Sequence, residues 1–97
     1  MNWPFDQEPS VAGVTCKSVM AGTPVLVAVH YLDDHSWAFL DGQAWDPDQA
    51  LVVSMKSILD LHPYLRDIAD LPAGWSASRT GDGASWIREI DPADEAE

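Results

Sequence analysis

Cysteine is nearly missing from this 97-residue chain: Cys16 stands alone, so no internal disulfide can form and no cysteine cage can hold a metal. Basic residues are scarce, five Lys and Arg against sixteen Asp and Glu, for a net charge of -11. A field of that sign repels nucleic-acid phosphates and anionic membrane surfaces, so neither is expected as a partner. The longest apolar stretch, Pro24 to Leu32, falls far short of the roughly 20 residues a spanning helix needs. Met1 to Asp6 shows no basic segment leading into an apolar one, and a cytoplasmic location is expected. The six glycines are scattered, with Gly81 and Gly83 between two strand-like segments, so no phosphate-cradling loop is visible.

What is present is enough for a core. The hydrophobic fraction is 46% and includes five Trp, which places the chain among folded domains despite its charge. Its length predicts one domain: a tail over residues 1–9, a single α+β domain over 10–90, and an acidic tail over 91–97. The acidity is lopsided. Between Lys17 and Lys56 there is no basic residue, and the five acids there, Asp33, Asp34, Asp41, Asp46 and Asp48, are threaded through the most apolar part of the chain. Such a field speeds encounter with a basic partner, although acidity also serves plain solubility.

Punctuation divides the body into elements. Val11 to Met20 reads as a strand with a turn, closed by Ala21-Gly22-Thr23-Pro24. Val25 to Leu32 and Trp37 to Leu40 read as strands joined by the loop Asp33-Asp34-His35-Ser36, pairing Leu32 with Trp37. Two-residue periodicity then puts Val25, Val27, Val29, Tyr31, Ala38 and Leu40 on one face and Leu26, Ala28, His30, Leu32, Trp37 and Phe39 on the other. Both faces are apolar, so either both are covered or one is open to a partner. After a short apolar run at Leu51 to Val53, Ser54 caps a helix that buries Met55, Ile58 and Leu59; His62-Pro63 breaks it, and a second short helix buries Leu65 and Ile68. A final hairpin joins Trp75–Arg79 to Ser85–Ile90 around Asp82-Gly83, setting Arg79 opposite Trp86 for a cation–π contact. The fold class is thus α+β: an antiparallel sheet of about four to five strands packed on one broken helix.

Candidate chemistry is sparse. His30, His35 and His62 lack the spacing of metal ligands, and Asp46-Pro47-Asp48 lacks the glycine and distal glutamate of a calcium loop. A lone cysteine in a strand is ordinarily a small buried hydrophobe, and adjacent loop carboxylates such as Asp33 and Asp34 are solvated rather than tuned as acid and base. No catalytic residue, metal or cofactor is expected, and the chain is read as a non-enzyme.

The order of elements resembles a family of small bacterial domains of unknown function, some of them classed as immunity proteins of contact-dependent or polymorphic toxin systems. The resemblance rests on Gly13 to Val19, on Asp33 to Gly42 with its Trp-x-Phe-x-x-Gly core, on Ser57 to Pro63, and on Asp70 to Trp75 with Arg79 after it. The chain departs from the pattern at Val25-Leu26-Val27-Ala28-Val29-His30, where the family carries a polar, Arg-containing strand. The resemblance implies an α+β fold and a non-catalytic, protein-binding role.

Aromatic anchors beside carboxylates suit a protein interface, the rings supplying burial and the charges steering. The expectation is a protein-binding domain, an immunity-like inhibitor of a basic toxin or enzyme, using Asp33, Asp34, Trp37, Asp41, Trp45, Asp46 and Asp48. The second reading is a self-associating structural or accessory domain, a homodimer hiding the face of Leu26, His30, Leu32, Trp37 and Phe39. The third is a small metal- or ligand-binding enzyme using His30, Cys16 and the loop aspartates.

Overall fold

A computed structural model describes residues 5, 10–32, 36–43, 46–81 and 83–90. The elements run β1 (Ala12–Cys16), α1 (Lys17–Met20), β2 (Val27–His30), β3 (Trp37–Leu40), β4 (Ala50–Ser54), α2 (Met55–Leu61), β5 (Trp75–Ser78) and β6 (Ile87–Ile90), with 3-10 turns at Pro47–Gln49 and Pro63–Ile68. The fold is α+β. Its sheet has six strands in the order β4-β1-β3-β2-β5-β6, larger than the four or five expected. It is also mixed rather than antiparallel, because β3 inserts between β1 and β2 and runs parallel to β1, with Val14 beside Ala38.

The β2–β3 hairpin pairs His30 with Trp37 and Val27 with Leu40, two residues away from the register expected for Leu32 and Trp37. The Tyr31 amide donates to the Ser36 carbonyl at 2.9 Å, closing the hairpin one step beyond that pair. A slip of two keeps every side chain on its face, whereas a slip of one would have inverted both. The C-terminal hairpin has the expected register, with Trp75 opposite Ile90.

Cross-strand partners share a face, and the pairings resolve the sheet into two sides. On one lie Val53 with Gly13, Leu51 with Thr15, Phe39 with Ala28 and Ala77, and Trp37 with His30 and Trp75. This side carries the helices. A Cβ on Gly13 would stand 3.0 Å from Met55 Sδ and 3.2 Å from Ile58 Cδ1, so α2 rests directly on β1. Phe39, Trp37, Met55, Ile58, Leu65, Ile68, Leu71 and Val19 form the buried core, joined by Phe5 from the N-terminal segment. The helix is broken where the sequence predicts: Ser54 Oγ accepts the Ser57 amide at 3.2 Å, α2 ends at Leu61, and Pro63 starts the 3-10 turn.

Trp37 is 1% exposed. Its ring stacks on His30 at 4.1 Å and on Phe39 at 5.7 Å, and meets the edge of Phe5 at 5.0 Å. The expected surface anchor is therefore a core residue, because it points to the helix side of a sheet whose central strand it begins. Of the face expected to be hidden in a dimer, His30, Trp37 and Phe39 are buried on the helix side of the sheet, Leu26 is half-buried, and Leu32 is exposed.

Several buried polar side chains have partners inside this layer. His30 Nδ1 lies 2.7 Å from the Leu71 carbonyl and so carries the donated proton. Thr15 Oγ1 donates to the Phe39 carbonyl at 2.7 Å. Arg79 is buried, its Nε donating to the Val25 carbonyl at 2.9 Å and its guanidinium lying 4.3 Å from the Tyr64 ring centre and 4.8 Å from that of Trp86. Two π faces and a carbonyl flank the cation.

Candidate acidic pocket at the ends of β1 and β3

Because β1 and β3 are parallel, their C-terminal ends emerge side by side, and the segments that follow them meet. Cys16 ends β1, Ser18 lies in α1, and Asp41 follows β3. With Leu40, Gln43, Asp46 and Gln49 they line a pocket of about 250 Å³.

Asp41 is the centre of its polar network. Ser18 Oγ donates to Asp41 Oδ2 at 2.5 Å and the Gln43 amide donates to Oδ1 at 3.0 Å. These two donors, the Ser18 hydroxyl foremost, hold the Asp41 carboxyl below its ordinary value, against a smaller upward push from burial. An ionised carboxylate only accepts, so Ser18 gives its proton to Asp41 and its oxygen is left to accept from the Cys16 thiol, 3.3 Å away. The chain of donors thus runs from Cys16 through Ser18 to Asp41.

Asp46 approaches from the loop before β4. Its Oδ1 accepts the Asp48 amide at 3.0 Å, which caps the 3-10 turn Pro47–Gln49 and fixes the carboxylate at the pocket wall. Asp48 is exposed in that turn and does not line the pocket. Of the seven expected site residues, the structure brings Asp41 and Asp46 together, keeps Asp48 on the adjoining turn, and buries Trp37. Asp33, Asp34 and Trp45 lie outside the described residues.

Ser18, Gln43 and Gln49 were not singled out by sequence, and Cys16 was set beside the loop aspartates only in the third reading, that of a small metal- or ligand-binding enzyme. Asp41-Gly42-Gln43 carried a usable signal, since an Asp whose side chain accepts the amide two residues on is a familiar turn device. Nothing local signals that Ser18 approaches Asp41, which depends on the parallel pairing.

The pocket presents two carboxylates, two side-chain amides and a hydroxyl already committed to a carboxylate. Their oxygens accept hydrogen bonds from a cation. Its volume is below the roughly 300–1,000 Å³ of small-molecule sites, so it matches one long side chain better than a cofactor. Among the described residues no three His, Cys, Asp or Glu side chains converge as a metal site, and no helix is long and apolar enough to cross a membrane. No protein-family model matches the chain, and no curated protein or solved structure is significantly similar to it.

Proposed function

We propose that this chain is a non-enzymatic protein-binding domain whose acidic pocket receives a Lys or Arg side chain of a basic partner. The convergence of Asp41 and Asp46 with Gln43 and Gln49 at the ends of β1 and β3 carries the reading. Asp48 beside the pocket adds to the attracting field, which Lys17, between the pocket residues Cys16 and Ser18, offsets in part. A guanidinium or ammonium with several donors matches carboxylates whose own donors are few. Asp33, Asp34 and Trp45 belong to the same binding set in this reading, while Trp37 supports it from within. The partner class follows the resemblance: a basic toxin or enzyme, held inactive as by an immunity protein.

The test is affinity capture from host lysate on the native chain and on the triple variant Asp41→Asn, Asp46→Asn, Asp48→Asn, which keeps side-chain acceptors for the capping bonds. A basic protein retained by the native chain, released by salt and lost on the variant is expected, with both chains folded at the assay temperature. Equal retention on both would remove the pocket from the interface.

A further inference from the structure

The two outermost strands of the sheet are finished differently. At one end β6 carries Arg88 and Glu89, and Arg88 donates to Asp70 Oδ1 at 2.8 Å and to the Asp67 carbonyl at 2.7 Å. Charges on an outermost strand discourage further pairing. At the other end β4 reads Ala50-Leu51-Val52-Val53-Ser54, with no charge, no proline and no bulge, since its pairs with β1 run in unbroken register. Val52 at its centre is 69% exposed.

The hydrogen-bond pattern identifies which groups of β4 are open. The Met55 amide donates to the Val11 carbonyl at 2.8 Å, one step past the Ala12–Ser54 pair. Antiparallel strands alternate bonded and non-bonded pairs, so Val53 and Leu51 also turn their backbone groups to β1, whereas Ser54, Val52 and Ala50 turn theirs outward. The Ala50 amide is used by the Pro47 carbonyl in its own turn. Left facing outward are the Ser54 amide, both groups of Val52 and the Ala50 carbonyl, and among the described residues none of them has a backbone partner. Donors and acceptors in that order form an edge that an extended chain completes.

We infer that the basic partner adds an extended segment to β4 as a further strand, a mode of contact that rests on the reading of the pocket given above. Charge sets what the segment carries and which way it runs. Asp46 and Asp48 stand exposed just before Ala50, with the acidic pocket beside them, while beyond Ser54 the Lys56 ammonium is already paired with Asp60 at 2.7 Å. The Ala50 end is thus the attracting one. In the antiparallel arrangement, the more stable of the two, the segment runs from Ser54 toward Ala50, so its Lys or Arg follows the paired residues on their C-terminal side. Uncharged β-branched residues before that cation suit the exposed Val52. A second copy of this chain brings another net charge of -11 to the same edge, which favours a cationic segment over self-pairing.

The test is an NMR titration of the full chain with a synthetic peptide of alternating Thr and Val ending in Lys-Lys, carried to the millimolar concentrations at which weak contacts saturate. Expected are saturable shifts and slowed hydrogen exchange at the Val52 and Ser54 amides. Binding weakens about tenfold when Glu replaces the peptide's Lys, or when Lys-Lys leads the peptide instead of ending it. The fully N-methylated peptide, which keeps its side chains but loses its donors, does not bind. The protein itself is unaltered throughout, so misfolding cannot imitate a loss. No response at Val52 and Ser54, or binding that survives N-methylation, overturns the inference; where Asp41 and Asp46 still respond to the peptide's Lys, the proposed function outlives it. Equal binding of the Lys and Glu peptides at β4 removes the pocket reading and the cationic segment with it. Protection of the Val52 amide that grows with chain concentration, without peptide, assigns the edge to a second copy and also overturns the inference.

Discussion

Tyr64→Phe isolates one hydroxyl on which two buried groups depend. The Val25 amide, in a residue with no exposed surface, donates to Tyr64 Oη at 2.7 Å, and Tyr64 Oη stands 2.9 Å from His62 Nδ1, with His62 Nε2 in turn 2.8 Å from the Val19 carbonyl. An amide can only donate and a carbonyl can only accept, so every proton in the chain is assigned. Tyr64 takes the Val25 proton and gives its own to Nδ1, and His62 donates from Nε2. The phenylalanine ring keeps the contact with Arg79 but strands the Val25 amide and Nδ1. Moving the histidine proton to Nδ1 only transfers the deficit to the Val19 carbonyl. Each stranded buried group costs about 1–3 kcal/mol, so the pair costs about 2–6 kcal/mol. In a domain of this size that lowers the melting temperature by roughly 10–30 °C. Urea unfolding followed by tryptophan fluorescence measures it, with the midpoint falling at unchanged slope. A loss below about 0.5 kcal/mol, the range of ordinary surface substitutions, refutes the proton assignment and the dependence on it.

Trp37→Ala is expected to cost about 3–5 kcal/mol, as for other large-to-small changes in cores, and to leave partner binding intact wherever the variant remains folded; calorimetry and binding on the same sample separate the two. Ser18→Ala removes the leading donor to Asp41, so that carboxyl moves up toward its ordinary value, which a side-chain NMR titration reads directly. Because the folded value is the lowered one, the stabilisation from Asp41 is present above the unfolded value and lost as pH falls through the folded one; in Ser18→Ala that contribution is smaller and its loss is complete at a higher pH. Gly13→Val drives a branched side chain into Met55 and Ile58, and overpacking of this kind costs about 1–3 kcal/mol, measurable as a lower urea midpoint.

Local elements were legible because their signals are local. Ser54 as a cap, the break at His62-Pro63 and the Trp75–Ile90 register follow from residues within a few positions of one another or of a single turn. The β2–β3 register was misplaced by two residues, since nothing within Leu32 to Ser36 fixes where pairing stops. Strand order was hidden: pairing of β1 with β3 joins segments separated by the whole of α1 and β2, and no periodicity encodes it. That one pairing also concealed the Cys16, Ser18 and Asp41 network, although the acids of the pocket were visible as loop residues. Both faces of the hairpin are apolar, so sequence left open which one the helices cover. Trp37 was misassigned for this reason, its partners His30, Phe39 and Phe5 being aromatic neighbours that only the folded sheet assembles.

Insertion of β3 between two earlier strands also dictates how the molecule is built. Zipping from adjacent turns produces β2 with β3 and β5 with β6, but β1 finds its seat only after β3 exists, and β5 reaches β2 only after the helical layer has crossed the sheet. Such non-local closures slow folding relative to a simple meander. Trp37 and Phe39 stay without Met55, Ile58 and Leu65 until the later segment that carries those residues has been made, so neither half of this domain owns a finished interior.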